Sequence, residues 1–274
     1  MQGQSWTDEL SLDRLRAYCE CIPVWLFTAV GLLGFAVFCL LAAAVDERMF
    51  NGVSVWAKPF KFSLSLAIYF ATLLIFSRYL PVGYFLTRGG YLMAVSLALV
   101  AVVETAYIAV QGSLGEASHF NVTTPFHAIM YSLMGIGATW LVTGPVWFAW
   151  VIGRANAKND PMVLAIIVGL VLTFVLGGGS GSYLGGHAGH WVGAAETDAN
   201  GIWLFNWATD GGDLRVAHFF GMHAMQAIPL FALLLPSNLS KRLACTLVIV
   251  FAAAYSALSA HTFIQAVRGQ PFIA

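Results

Sequence analysis

Seven apolar runs, each long enough to cross about 30 Å of hydrocarbon, dictate what this chain folds into. They lie near residues 23–45, 60–80, 90–110, 125–153, 161–184, 216–236 and 243–267. In lipid every backbone polar group must be satisfied within the protein, so runs of this length without two-residue alternation read as helices. Charge and turn signals separate them: Asp46-Glu47-Arg48, Arg78 with Pro81, Gly112 to Thr124, Arg154 to Asp160, Gly185 to Asp213, and Ser237 to Arg242. The reading is an all-α membrane protein of seven transmembrane helices. Residues 1–22 form a cytoplasmic N-terminal segment, and residues 23–274 form one transmembrane domain with an outer loop at 185–213.

Composition agrees. Of the 274 residues 59% are hydrophobic and 9% charged, where a soluble domain carries about 25% charged residues. Thirteen basic and thirteen acidic residues cancel, leaving no basic field for nucleic acid and no polybasic arm for lipid headgroups. The chain's partner is the lipid bilayer. Residues 1–21 hold Asp8, Glu9, Asp13, Arg14, Arg16 and Glu20 with no apolar segment before them. They read as an amphipathic lead-in, and the first run as an uncleaved signal-anchor. Of the four cysteines, Cys19 and Cys21 form C-x-C, neither a redox nor a zinc spacing, and Cys39 and Cys245 stand alone.

Lys and Arg in short loops orient such a chain. With the N-terminus inside, Arg14, Arg16, Arg78, Arg88, Arg154, Lys158, Lys241 and Arg242 are cytoplasmic, against Arg48, Lys58, Lys61, Arg215 and Arg268 outside. The expectation is a bacterial inner-membrane protein with a cytoplasmic N-terminus and a periplasmic C-terminus. All seven histidines, at 119, 127, 187, 190, 218, 223 and 261, then fall in outer loops or at outer helix ends.

An internal repeat runs faintly through the chain. Pro23, Leu26 and Val30-Gly31-Leu32 echo Pro161, Leu164 and Val168-Gly169-Leu170. Ala57-Lys58 echoes Ala217-His218, and the segment from Thr105 to Gly112 echoes Thr262 to Gly269. The echoes keep chain order, as a parallel 3+1+3 duplication would. It pairs Lys58 with His218 and Glu104 with His261 about a pseudo-twofold axis.

Charged residues within a membrane cost about 2.5–3.5 kcal/mol near its centre on insertion scales, and persist when paired, cavity-facing or functional. Glu104 stands on one stripe with Tyr107 and Gln111. It reads as a carboxylate ligand or proton carrier, or else as a structural partner of Lys58, Lys61 or Arg268. His218 and His223 lie about 140° apart on an ideal helix, so each faces a different neighbour. Gln226 follows His223 at i+3. His127 enters the first turn of its helix after Thr124 and Pro125, and His261 stands above Gln265 and Arg268. Neutral imidazole is the commonest metal ligand and the usual axial ligand of b-type haem. The leading expectation is therefore a redox-active centre, haem b or a transition-metal ion. Its ligands would be His127, His218, His223 and His261, with Glu104 as ligand or proton relay and Gln226 beside them. Lys58, Lys61 and Arg268 would anchor haem propionates or an anionic or quinone-like substrate. The glycine-rich stretch from Gly177 to Trp191 carries His187 and His190 and reads as a lid or an anion nest. No P-loop, dinucleotide fingerprint, nucleophile elbow or H-E-x-x-H is present.

The segments Ser118 to Phe126, Gly212 to Gln226 and Gln265 to Pro271 resemble those of an uncharacterised family of bacterial multi-pass membrane proteins. The resemblance implies a shared fold and outer-face constellation and brings no activity. The 3+1+3 order is also similar to that of semi-symmetric sugar carriers, whose Pro-Gln motif is not evident here. Two other readings stand beside the redox centre. One is a small-solute or proton-coupled transporter, with Glu104 as the protonatable group. The other is an accessory or assembly subunit of a membrane complex, or a homo-oligomer.

Overall fold

A computed structural model describes residues 22–157 and 159–273. The amphipathic lead-in, the Cys19–Cys21 pair and Lys158 lie outside the described residues. The chain opens with α1 (Ile22–Val45), whose lipid-facing side chains include Phe27 and Leu41. Its buried stripe, Trp25, Ala29, Leu32, Ala36 and Cys39, repeats every three to four residues and packs on α2 (Ala57–Phe76). Between them β1 (Met49–Phe50) and β2 (Val53–Ser54) form a hairpin. Asn51 and Gly52 turn it, both at positive φ as a tight two-residue turn requires.

The third span, α3 (Arg88–Leu114), starts on a Thr87 cap and stops at Gly115 in the left-handed conformation. Thr124 caps α4 (Pro125–Ala155), with Pro125 in the first turn. Asp160 caps α5 (Pro161–Leu172). The fifth span then loosens into a π-helical turn at Thr173–Gly178 and ends as α6 (Gly179–Gly185). The outer loop returns through β3 (Trp191–Val192), paired with β4 (Gly212–Asp213). The sixth span follows in two pieces, α7 (Leu214–Met222) and α8 (Ala224–Leu234), and α9 (Lys241–Val267) closes the bundle on a Ser240 cap.

Six of these helical segments are long and apolar enough to cross a membrane, and α7 with α8, bent by 50°, counts as a seventh when the pair is taken as one broken span. The chain is an all-α multi-pass membrane protein. Its first three spans pack on one another, as do its last three, and α4 touches both groups through α3 and α5. This grouping is the one a 3+1+3 arrangement needs. The largest core cluster joins α1 through α5 and reaches Met225 of α8: Trp25 meets Phe85 and Phe148 edge-on, and its indole N–H donates to the Ala94 carbonyl at 3.2 Å.

The sequence predicts one unbroken helix over 216–236, and here the structure differs. The chain breaks at His223, whose φ of −90° and ψ of 6° leave the helical region. His223 stands midway along the sixth span, so the expectation that every histidine occupies the outer end is corrected at this residue.

Candidate functional site

The break is built by two glycines that let backbones touch. A side chain at Gly221 would strike the backbone of Leu176 and Gly177, and one at Gly177 would meet Gly221 and Met222. With α7 pressed on the π-helical turn, three backbone groups at the irregularity are bonded by side chains. The Thr173 hydroxyl accepts from the Met225 N–H at 3.0 Å. The Tyr255 hydroxyl donates to the Phe220 carbonyl at 2.7 Å. His218 Nδ1–H donates to the Gly177 carbonyl at 3.0 Å. Irregular backbone at membrane depth persists only when buried in protein or lining a cavity, and these bonds meet that requirement.

His223 Nδ1 lies 3.3 Å from Gln226 Oε1, and Gln226 Nε2 donates to the Thr72 hydroxyl at 3.0 Å. Because a carbonyl oxygen and an amide oxygen accept, these bonds assign the Nδ1–H tautomer to both His218 and His223. Each ring then keeps Nε2 as an acceptor. The Phe219 ring packs tilted against His223 with centroids 4.3 Å apart.

Outward of the break lies a charged cluster roofed by the loop. Arg215 Nη2 reaches Asp198 at 2.8 Å and Asp213 at 2.7 Å, the latter carboxylate wholly buried. Lys61 Nζ donates to the Phe205 carbonyl at 3.0 Å and to Asn206 Oδ1. His190 Nε2 approaches Asp198 Oδ1 at 3.3 Å. These contacts fasten the loop to the bundle and use up both carboxylates and two of the three cations. Lys58 is the third: its Nζ sits 5.9 Å above the Phe62 ring, and among the described residues it has no ion-pair partner. His119 stands beside it, in reach of Lys58 and His218, with Nδ1 3.1 Å from the Ser118 hydroxyl and its ring against Phe62. Burial, reinforced by Lys58 and His218, holds the His119 imidazole well below the ordinary value of 6.5, so it is neutral at pH 7. Burial also lowers His190, against the pull of its Asp198 bond.

The four expected metal ligands are not gathered. His127 Nε2 faces Glu116 Oε2 at 3.4 Å, with Nδ1 beside the Thr124 hydroxyl. His261 is exposed on α9, and so is Arg268 at that helix's end. His218 and His223 remain near each other, but no group of three or more His, Cys, Asp or Glu side chains with metal-binding proximity occurs among the described residues. Depth and azimuth both separate them: His223 stands midway along its span, His127 turns to Glu116, and His261 leaves the bundle interior. Among the described residues these four histidines do not converge as one ligand set. Glu104 is buried against Gly137 of α4 and makes no hydrogen bond or ion pair among the described residues. Lys58, Lys61 and Arg268 are not its partners. Lys58, Lys61, His218, His223 and Gln226 are drawn together; Glu104, His127, His261 and Arg268 lie apart.

Sequence alone gives no site role to Arg215, Asp198, Asp213 or Thr72. Asp213 and Arg215 carried a signal, an N-cap carboxylate two residues before a guanidinium at the mouth of an apolar run. Thr72 carried none, being one hydroxyl within such a run. No protein-family model, curated protein or solved structure matches the chain.

Proposed function

We propose that this protein is a membrane transporter for a small polar solute bearing an anionic group. Lys58 and His119 meet the solute beneath the loop, and the path continues past His218 to the break at His223 and Gln226. In this reading the chain lies in the bacterial inner membrane, N-terminus cytoplasmic and C-terminus periplasmic, and loads from the periplasmic side. One observation carries it: the sixth span is interrupted midway along its length, opposite a π-helical turn in the fifth. Carriers place their sites at discontinuous helices near the midplane, and π-turns recur at functional positions. Imidazole Nε2 acceptors, the Gln226 amide and a cation without a carboxylate offer a solute both donors and acceptors. The packing of spans into two triplets around α4 supports relative movement of two halves.

Uptake into proteoliposomes tests the reading, with lactate, succinate, inorganic phosphate and glucose as labelled probes. An anion is expected to accumulate and glucose not to. His223→Ala is expected to slow uptake about tenfold, the equivalent of one hydrogen bond of about 1.4 kcal/mol. Uptake of none of the anions, with an inward or an outward proton gradient, overturns it.

A further inference from the structure

We infer that α3 carries a proton path from the outer Glu116–His127 pair to Glu104, which holds the proton. Glu104 sits about a turn from the middle of its span, 7% exposed, with its carboxylate pressed on Gly137 and no partner among the described residues. Four buried side-chain polar atoms lack a hydrogen-bond partner among the described residues, and three of them lie on this same helix, between Glu104 and its outer end. They are Thr105 Oγ1, the Tyr107 hydroxyl and Gln111 Oε1; the fourth is Trp191 Nε1. Gln111 stands two turns outward of Glu104, roughly 10 Å along the axis. The Tyr107 hydroxyl stands close to the Gln111 amide, short of a bond of good geometry, and within electrostatic reach of Glu116. Glu116, half exposed, meets His127 at 3.4 Å and opens the series to bulk water.

Buried polar atoms in native proteins are paired, and where protein supplies no partner, ordered water does. Water bonded to the Tyr107 hydroxyl and Gln111 Oε1, the two that share Glu104's stripe, links the outer pair to the buried carboxylate. A proton then passes from solvent to Glu116 or His127, along the hydroxyl and the waters, and binds a Glu104 oxygen, leaving that group neutral. Nothing charged opposes or captures it. The titratable side chains on the elements packed most closely against α3 are Cys39 on α1, Lys58, Lys61 and Tyr69 on α2, Tyr84 on the short helix Tyr84–Leu86, and His127, Tyr131 and Arg154 on α4. None forms an ion pair with Glu104. The Tyr69 hydroxyl is spent on the Leu141 carbonyl at 2.7 Å. This path lies apart from the solute route at His223 and does not depend on it.

The test is infrared spectroscopy of the intact protein in lipid at neutral pH, with transfer into D2O. A protonated-carboxyl band is expected, absent from Glu104→Gln, that shifts on deuteration. Tyr107→Phe and Gln111→Leu are expected to keep the band and slow its shift severalfold. Dicyclohexylcarbodiimide, which partitions into lipid, is expected to modify Glu104 in the unaltered chain, because Gly137 lines an open groove between α3 and α4. An ionised Glu104 at neutral pH, or deuteration equally fast in all variants, overturns the inference. Failure of the carbodiimide to reach Glu104 counts against it even if a variant does not fold.

Discussion

Removing the guanidinium of Arg215 leaves Asp198 and the wholly buried Asp213 carboxylate without a cation. Breaking a buried ion pair from one side costs about 3–5 kcal/mol. The loss in Arg215→Gln is expected near the lower figure, because the arginine is 22% exposed. Thermal unfolding in detergent measures it, and limited proteolysis should cut first between residues 190 and 213. Acid acts on the same loop through His190, and on the loop between α3 and α4 through His119. His190 and His119 are both lowered from 6.5 by burial, so the unfolded chain binds their protons more readily. Their contribution is complete above pH 6.5 and falls as pH drops below it. Asp198 adds a second loss further down: burial raises it, but the His190 bond and the Arg215 charge outweigh burial and hold it below 3.8. A melting temperature flat or rising from pH 7 to pH 5 contradicts this account.

The helix break depends on backbone contact, so glycine matters at one position and is incidental at another. An added methyl at Gly221 strikes the Gly177 backbone, whereas one at Gly34 on the lipid face of α1 meets nothing within 4 Å. Gly221→Ala is expected to destabilise by about 1–3 kcal/mol through overpacking. Gly34→Ala is expected to be neutral or to gain up to about 1 kcal/mol from helix propensity. Equal melting temperatures for the two variants would show that α7 and the π-helical turn are not pressed together. Thr173→Val probes the same junction differently, stripping the Met225 N–H of its acceptor.

Across the whole molecule, the spans and their caps are legible in the sequence because each is a local property. Long apolar runs announce themselves, and Thr124-Pro125, Asp160-Pro161 and Ser240 mark helix starts by their own chemistry. The break at His223 is not local. Neither proline nor glycine stands at that residue, and the irregularity exists because Gly221 meets Gly177, more than forty positions away. The histidine grouping fails for a related reason: spacing along the chain sets depth, while packing sets azimuth, and azimuth sends His127 to Glu116 and His261 outward. Lys58 and His218, matched by the internal echo, do come to one cluster around His119. Glu104 and His261, matched likewise, do not.

A transporter must expose its midpoint to water from each side in turn, and a purely structural break need not. The direct measurement places one cysteine at the break, Gln226→Cys, in a chain whose four native cysteines are replaced. A membrane-impermeant thiol reagent is then applied from one face or the other of oriented vesicles. Labelling from both faces, slowed by a transported anion, is the predicted result. A thiol that stays unreactive from both faces, in folded protein, contradicts the account.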